Sequence, residues 1–207
     1  MISFNGRVIT YNDRWIDRTD PYNPLNLPPY TIRVKFVSGY RPTIFDLPTF
    51  PRYRNADSLT LVNADENIWD ITMNDTNWIA LFFEAYELEE VLGANSTGVT
   101  NMESMFLLCS SVTSISLFDT SNVTNMAGMF QQCTSLSSIN LYNTSNVIDT
   151  RWMFTDCVNV ETGSLALYQQ MSSQANPPTN HSQTFKNCGS NTQTGAAELV
   201  QIPDDWK

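Results

Sequence analysis

Four cysteines, one histidine and a group of glutamates are the residues of this 207-residue chain whose types are suited to chemistry. Cys109, Cys133 and Cys157 stand 24 residues apart, and Cys188 follows Phe185 at the same F-x-x-C spacing. Such regularity predicts a column of small apolar thiols inside a repeated structure. Disulfides fit less well, because an oxidised pair needs a particular Cα separation. Zinc is not expected, since no C-x-x-C pair exists and His181 is distant in register. His181 lies in a polar Pro-Pro-Thr-Asn-His-Ser-Gln loop with no cysteine nucleophile at a recognisable motif, which reads as an exposed side chain. Glu84, Glu87, Glu89 and Glu90 read as a solvated helix face; a paired-carboxylate glycosidase site would need a partner at a defined distance. The chain has no phosphate loop, dinucleotide fingerprint or calcium loop. The expectation is a protein without catalytic residues, metal or cofactor.

The elements that would position these residues repeat. Val99-Thr-Asn-Met102-x-x-Met105-Phe106-x-x-Cys109 recurs from Val123 to Cys133 and, altered, from Val147 to Cys157, always with a 24-residue period. Val123, Met126, Met129, Phe130 and Cys133 are spaced by threes and fours, which predicts a helical face. Leu136, Ile139 and Leu141 follow, and the I-x-L alternation predicts a short strand with Ile139 and Leu141 inward. Asn143-Thr-Ser-Asn146 then forms a polar return, because short polar side chains bond turn amides. A fixed period of this length predicts stacked units that bury a core only together.

The strings Leu117-Phe-Asp-Thr-Ser-Asn-Val-Thr-Asn-Met126 and Met129-Phe130-x-x-Cys133-x-Ser-Leu136-x-x-Ile139 resemble the repeat of the BspA-like leucine-rich-repeat surface proteins. That family includes bacterial surface adhesins and lipoproteins, and similar arrays occur in bacteriophage appendage proteins. The third copy departs from the pattern, with Ile148-Asp149-Thr150 in place of Thr-Asn-Met. The resemblance implies surface display and adhesion without a defined ligand.

Projecting the repeat backwards places Trp78, Leu81, Phe82, Ala85, Leu88 and Val91 on the Met102, Met105, Phe106, Cys109, Val112 and Ile115 positions, a degenerate first unit. After Cys157 the period breaks: Leu165 to Met171 predicts an extra helix, and Phe185 comes 31 residues after Phe154. The segment Gly195 to Trp206 would close the end. Upstream, Thr31 to Val37 alternates as a half-buried strand, while Leu59 to Val62 and Ile68 to Ile71 predict a hairpin. Gly39 to Asn55 reads as a long loop.

Charge divides the chain. Residues 1–57 carry 8 Lys and Arg against 5 Asp and Glu, and residues 58–207 carry 3 against 16. The acidic body should repel nucleic acid and anionic membrane. No stretch approaches the about 20 apolar residues of a membrane span, and no secretory signal is visible at Met1. Proline-rich Pro21 to Pro29 predicts an extended arm. Arg7, Arg14, Trp15, Arg18, Tyr22 and Tyr30 are its candidate docking residues.

With Ile139 and Leu141 inward, Asn140 and Tyr142 should face outward, as should Ser116 and Phe118 beside Ile115 and Leu117. Ser116, Phe118, Asn140 and Tyr142 are thus the candidate ligand-binding residues, since aromatics among small polar groups offer contact area at low entropic cost. Phe118 and Tyr142 turning inward is the competing arrangement. Asp119 and Asn143 are expected to cap turns rather than hold a cation.

The expected architecture is an α/β repeat: a short leucine-rich-repeat-type solenoid (58–207, core repeats 99–160), preceded by a small β module and an extended docking arm (1–57). The expected function is a non-enzymatic, surface-exposed virion appendage protein, oligomeric, whose arm binds other virion structural proteins and whose solenoid attaches to host-surface glycan or protein. A purely structural capsid or tail decoration protein and a bacterial surface adhesin are the alternatives, the last placing the chain on the bacterial cell surface.

Overall fold

The computed structural model describes residues 25, 27–42, 59–73 and 75–207. Arg7, Arg14, Trp15, Arg18 and Tyr22, with most of the expected arm and of the Gly39 to Asn55 loop, lie outside the described residues.

Alternating Ile32, Val34 and Phe36 form β1 (Thr31–Phe36) with all three side chains buried. The hairpin forms as β2 (Leu59–Asp65) and β3 (Ile68–Met73), joined at Asn67, whose positive φ of 60° suits a tight turn. The strand β4 (Leu88–Asn95) and the two-residue β5 (Ser114–Ile115) complete a five-stranded mixed sheet in the order β2-β3-β1-β4-β5. β1 runs antiparallel to both β3 and β4, so a strand upstream of residue 57 is the centre of the sheet. Arg33 on β1 reaches across to Asp70 on β3 with two hydrogen bonds of 2.7 and 2.8 Å. Lys35 bridges Glu89 and Glu90 on β4, so these two glutamates belong to a strand rather than a helix.

The expected α/β leucine-rich-repeat-type solenoid is corrected here. Among the described residues, the regular structure is a single mixed sheet together with two short helices, α1 (Ser164–Ser172) and α2 (Gln193–Gln201), and a final 3-10 turn at Asp204–Trp206. Between Val99 and Val160 no helix forms and only β5 is a strand; the motif copies are built of turns. The reason is backbone conformation. Ser104 and Leu108, Gly128 and Gln132, and Trp152 and Asp156 all have positive φ, at the same two places of each copy. A left-handed residue every fourth position cannot continue an α-helix.

Hydrogen bonding follows that alternation. The amides of Met105, Leu107 and Cys109 bond back three residues, to Met102, Ser104 and Phe106. Those between them, on Met102, Ser104, Phe106 and Leu108, cross to the carbonyls of Asn125, Ala127, Met129 and Gln131 in the following copy. The same pattern joins Trp78–Glu84 to the 101–107 segment, and the Met126 copy to the Thr150 copy. Parallel bridges at Asn77, Asn101, Asn125, Asp149 and Asn180 keep the copies in register.

Register puts identical side chains on one another. Phe82, Phe106, Phe130, Phe154 and Phe185 form a ring column with successive centroids 5.3, 5.5, 5.1 and 5.9 Å apart and nearly parallel planes, and Trp206 ends it. The unit projected at Trp78 and the one resumed at Phe185 therefore both join the column. Each cysteine is buried and free. The thiols of Cys109, Cys133 and Cys157 donate to the carbonyls of Phe82, Phe106 and Phe130, at 2.9, 3.2 and 2.9 Å. In the divergent third copy Thr150 pairs its hydroxyl with Thr184 at 3.0 Å, a polar pair replacing a methionine contact. The intervening insertion carries α1, which buries Leu167 and Met171. Glu198 of α2 accepts from the Ser164 hydroxyl and the Leu165 amide at the α1 start, where a negative charge complements the helix dipole.

Two outcomes follow. Phe130→Ala removes the middle ring and should lower stability by about 3–5 kcal/mol in urea denaturation, while Phe130→Leu should cost about 1–2 kcal/mol. Burial pushes the thiol pKa values up, to about 12 at Cys157, and raises Cys109, Cys133 and Cys188 too. A thiol ionises from about pH 8.5 in the unfolded chain but stays protonated in the fold, so its contribution is intact below that pH and is lost as pH rises towards the folded value. Stability should fall by about 1.4 kcal/mol per thiol per pH unit above about pH 9, and Cys133→Ala should make the decline shallower by one thiol's share. Urea titrations under reductant across that range would read it.

Candidate functional site

Between the two buried methionine positions of each copy lie two residues whose identity is not repeated. They are Glu103 and Ser104, then Ala127 and Gly128, then Arg151 and Trp152. An Asx turn presents each pair: Asn101, Asn125 and Asp149 accept from the amides of Glu103, Ala127 and Arg151 at 3.0, 2.9 and 3.0 Å. With the methionines directed into the core, these pairs rise from the opposite side. In-register stacking then sets three different pairs beside one another on one face.

The middle pair is small and buried, whereas Trp152 is 39% exposed. The result is a cleft of about 230 Å³ over Ala127 and Gly128, walled by Glu103 and Ser104 on one side and by Arg151 and Trp152 on the other. Gln131 closes one end and Asn125 lines the cleft beside Glu103.

The polar groups are held from behind. Asn125 donates to Oε2 of Glu103 at 2.9 Å, leaving Oε1 without a hydrogen bond among the described residues. Asp149 takes the Nε and Nη2 donors of Arg151, the latter at 2.6 Å, and Nη1 makes no hydrogen bond among the described residues. The guanidinium carbon of Arg151 lies 5.2 Å from the Trp152 ring centroid, a cation–π contact that steadies the indole. Burial alone would raise the Asp149 pKa, but the hydrogen bonds and charge of Arg151, aided by Asn180, hold it below the usual carboxylate value. The Arg151 pKa is raised, first by its hydrogen bond to Asp149. One wall is thus an anion with a free acceptor, and the other a neutralised cation with a free donor beside an aromatic face.

The residues singled out from sequence fall elsewhere. Phe118 and Tyr142 do not face outward: Phe118 is fully buried and Tyr142 nearly so, their rings 5.8 Å apart in the core. Ile139 and Tyr142 are both inward while Leu141 is 52% exposed, a three-residue spacing. The two-residue alternation expected of a strand fails because residues 139–142 are not a strand. Burial also pushes the Tyr142 pKa up. Ser116 and Asn140 are half-buried; the Ser116 amide bonds Val91, and the Asn140 side chain donates to the Ile115 carbonyl. The structure therefore brings these four together around the copy-to-copy junction and leaves no shared aromatic surface.

Tyr30 is half-buried at the sheet end, with its hydroxyl beside Gly98. Asp119 and Asn143 accept from the Ser121 and Ser145 amides, the expected turn capping. His181 is half-buried, stacked on Trp206 with ring centroids 4.1 Å apart. Among the described residues, no group of three or more His, Cys, Asp and Glu is placed to hold a metal ion, and no helix is long and apolar enough to cross a membrane. The motif positions that repeat do not point to the cleft. Its signal is the failure of residues 103–104, 127–128 and 151–152 to repeat inside a motif that otherwise does.

No curated protein and no solved structure matches the chain. Residues 76–196, which run from the first motif copy into α2 and make up more than half of the 207 residues, match the family described as "Mycoplasma protein of unknown function, DUF285". The chain belongs to that family.

Proposed function

We propose that this protein is a non-enzymatic, surface-displayed attachment protein, and that the face bearing the non-repeated pairs makes the attachment. The observation that carries the reading is the contrast within each copy. Backbone and core positions repeat and use their hydrogen bonds between copies, while residues 103–104, 127–128 and 151–152 carry different side chains into one cleft. Nothing in copy-to-copy packing requires Trp152 to stand 39% exposed beside Arg151. A large aromatic with an arginine at the centre of a patch is the composition expected of a binding surface. The resemblance to BspA-like surface proteins supports the same role.

For the setting we propose a virion appendage. The N-terminal arm, with Arg7, Arg14, Trp15, Arg18 and Tyr22, would dock to other particle proteins, and the acidic repeat body would face outward to the host. The bacterial cell surface is the second setting, favoured by a family description that names Mycoplasma proteins. An antibody against the chain that labels purified particles supports the first, and label confined to the cell envelope replaces it with the second.

The attachment itself is tested with fluorescently labelled full-length chain added to intact host cells. Arg151→Ala combined with Trp152→Ala should reduce bound protein at least about tenfold, because loss of a central anchor typically removes about 2 kcal/mol or more of affinity and about 1.4 kcal/mol is already tenfold. Equal binding by the double variant, with its thermal melt unchanged, would show that this face is not the attachment surface.

A further inference from the structure

We infer that the cleft over Ala127 and Gly128 is a sugar subsite that takes one neutral pyranose ring of a glycan. The inference rests on the attachment reading above and names its ligand.

Size comes first. The space is about 230 Å³, room for a single sugar ring, and too shallow for a bulky apolar group to be enclosed. It exists because Gly128 stands where the neighbouring copies carry Ser104 and Trp152. A side chain there would begin against the Ser104 hydroxyl and the Gln131 amide oxygen, each 3.4 Å from the Cβ position.

Chemistry comes next. A pyranose has apolar C–H faces and a rim of hydroxyls, each both donor and acceptor. Trp152 supplies an exposed indole for the C–H face, held by the Arg151 guanidinium 5.2 Å from its centroid. Oε1 of Glu103 and Nη1 of Arg151 are an acceptor and a donor on opposite walls, each on a side chain fixed by another partner, Asn125 and Asp149 respectively. Planar side chains pre-oriented in this way bind sugar hydroxyls with little loss of rotamer freedom.

Charge selects within the class. Arg151 is ion-paired with Asp149 and also lies in the field of Glu103, so two carboxylates surround one guanidinium and the cleft, net negative, repels a carboxylate or sulfate. A neutral hexose is admitted and an acidic sugar is not. A peptide is disfavoured for a separate reason: an added strand needs free backbone donors and acceptors, and across this face the amides and carbonyls are already spent in bonds between copies, in turns within a copy and on the Asx side chains.

The test uses the full chain and saturation-transfer NMR with the methyl glycosides of glucose, galactose, mannose and N-acetylglucosamine, and with N-acetylneuraminic acid. At least one neutral glycoside should bind with a dissociation constant on the order of 1 mM, and the acid should not. Glu103→Gln and Trp152→Ala should each weaken that binding at least about tenfold. Gly128→Gln should abolish it by filling the floor. Gln183 occupies the corresponding position after the insertion with φ 60°, so glutamine suits the backbone there. Thermal melts check the fold, and if Gly128→Gln unfolds, the surface change Glu103→Gln decides. Absence of saturation transfer from all four glycosides, preference for the acidic sugar, or binding undiminished in Glu103→Gln and Trp152→Ala overturns the inference. Cell attachment that persists after periodate oxidation of the surface glycans, without saturation transfer, assigns the cleft to a protein partner and overturns the sugar alone. Loss of cell attachment by the unmodified chain overturns the attachment reading as well.

Discussion

Everything in the repeated part of this molecule depends on where alternate backbone amides send their hydrogen bonds. One amide closes a turn three residues back, and the next crosses to the following copy, so neither kind is left unpaired. The arrangement requires two left-handed residues per copy. Alanine, glutamate, serine, leucine, glutamine, tryptophan, aspartate and asparagine accept that conformation here although it costs about 1–2 kcal/mol per residue. Crossing bonds and buried side chains offset that cost. A local strain that no single copy could sustain is stable when copies lie together.

The same bonds dictate the core. Once amides cross at fixed register, like residues must lie on like, which produces the phenylalanine column and the aligned cysteines. Cysteine suits its position because its thiol is small, tolerates full burial and donates to a phenylalanine carbonyl of the preceding copy. Register also generates the functional face. Positions that need not pack inward are brought side by side from residues 24 apart, so three short and unrelated dipeptides become the floor and walls of one cleft. Copy-to-copy geometry supplies rigidity, and Asn125 and Asp149, which also make Asx turns, hold the polar groups from behind.

Much of this was legible in residue order. The hairpin, β1, the helix after Cys157 and the cysteine column follow from simple patterns; the unit at Trp78 follows from projecting the period backwards, and the one at Phe185 from the F-x-x-C spacing beyond the point where the period breaks. The helical reading of Val123 to Cys133 failed for a specific reason. Apolar residues spaced by threes and fours fit an α-helix, and they equally fit successive three-residue turns that bury one side. The outward reading of Phe118 and Tyr142 failed because Ile139 and Leu141 look like a strand alternation, whereas the backbone there buries every third residue. Neither ambiguity is resolved by side-chain pattern, since each turns on bonds to another copy.

The sequence by itself determined the period, and with it which residues share a column, because a 24-residue repeat in a packed core permits only in-register contact. It also marked, by breaking its own pattern at residues 103–104, 127–128 and 151–152, where the surface would differ from copy to copy. Only the tertiary structure decided that the copies are turns beside a mixed sheet, that Phe118 and Tyr142 belong to the core, and that Glu103 faces Trp152 across a glycine floor. The physical reason is that a local pattern records what a side chain prefers to bury, while the partner of a crossing amide lies in the next copy and is chosen only when the whole stack closes.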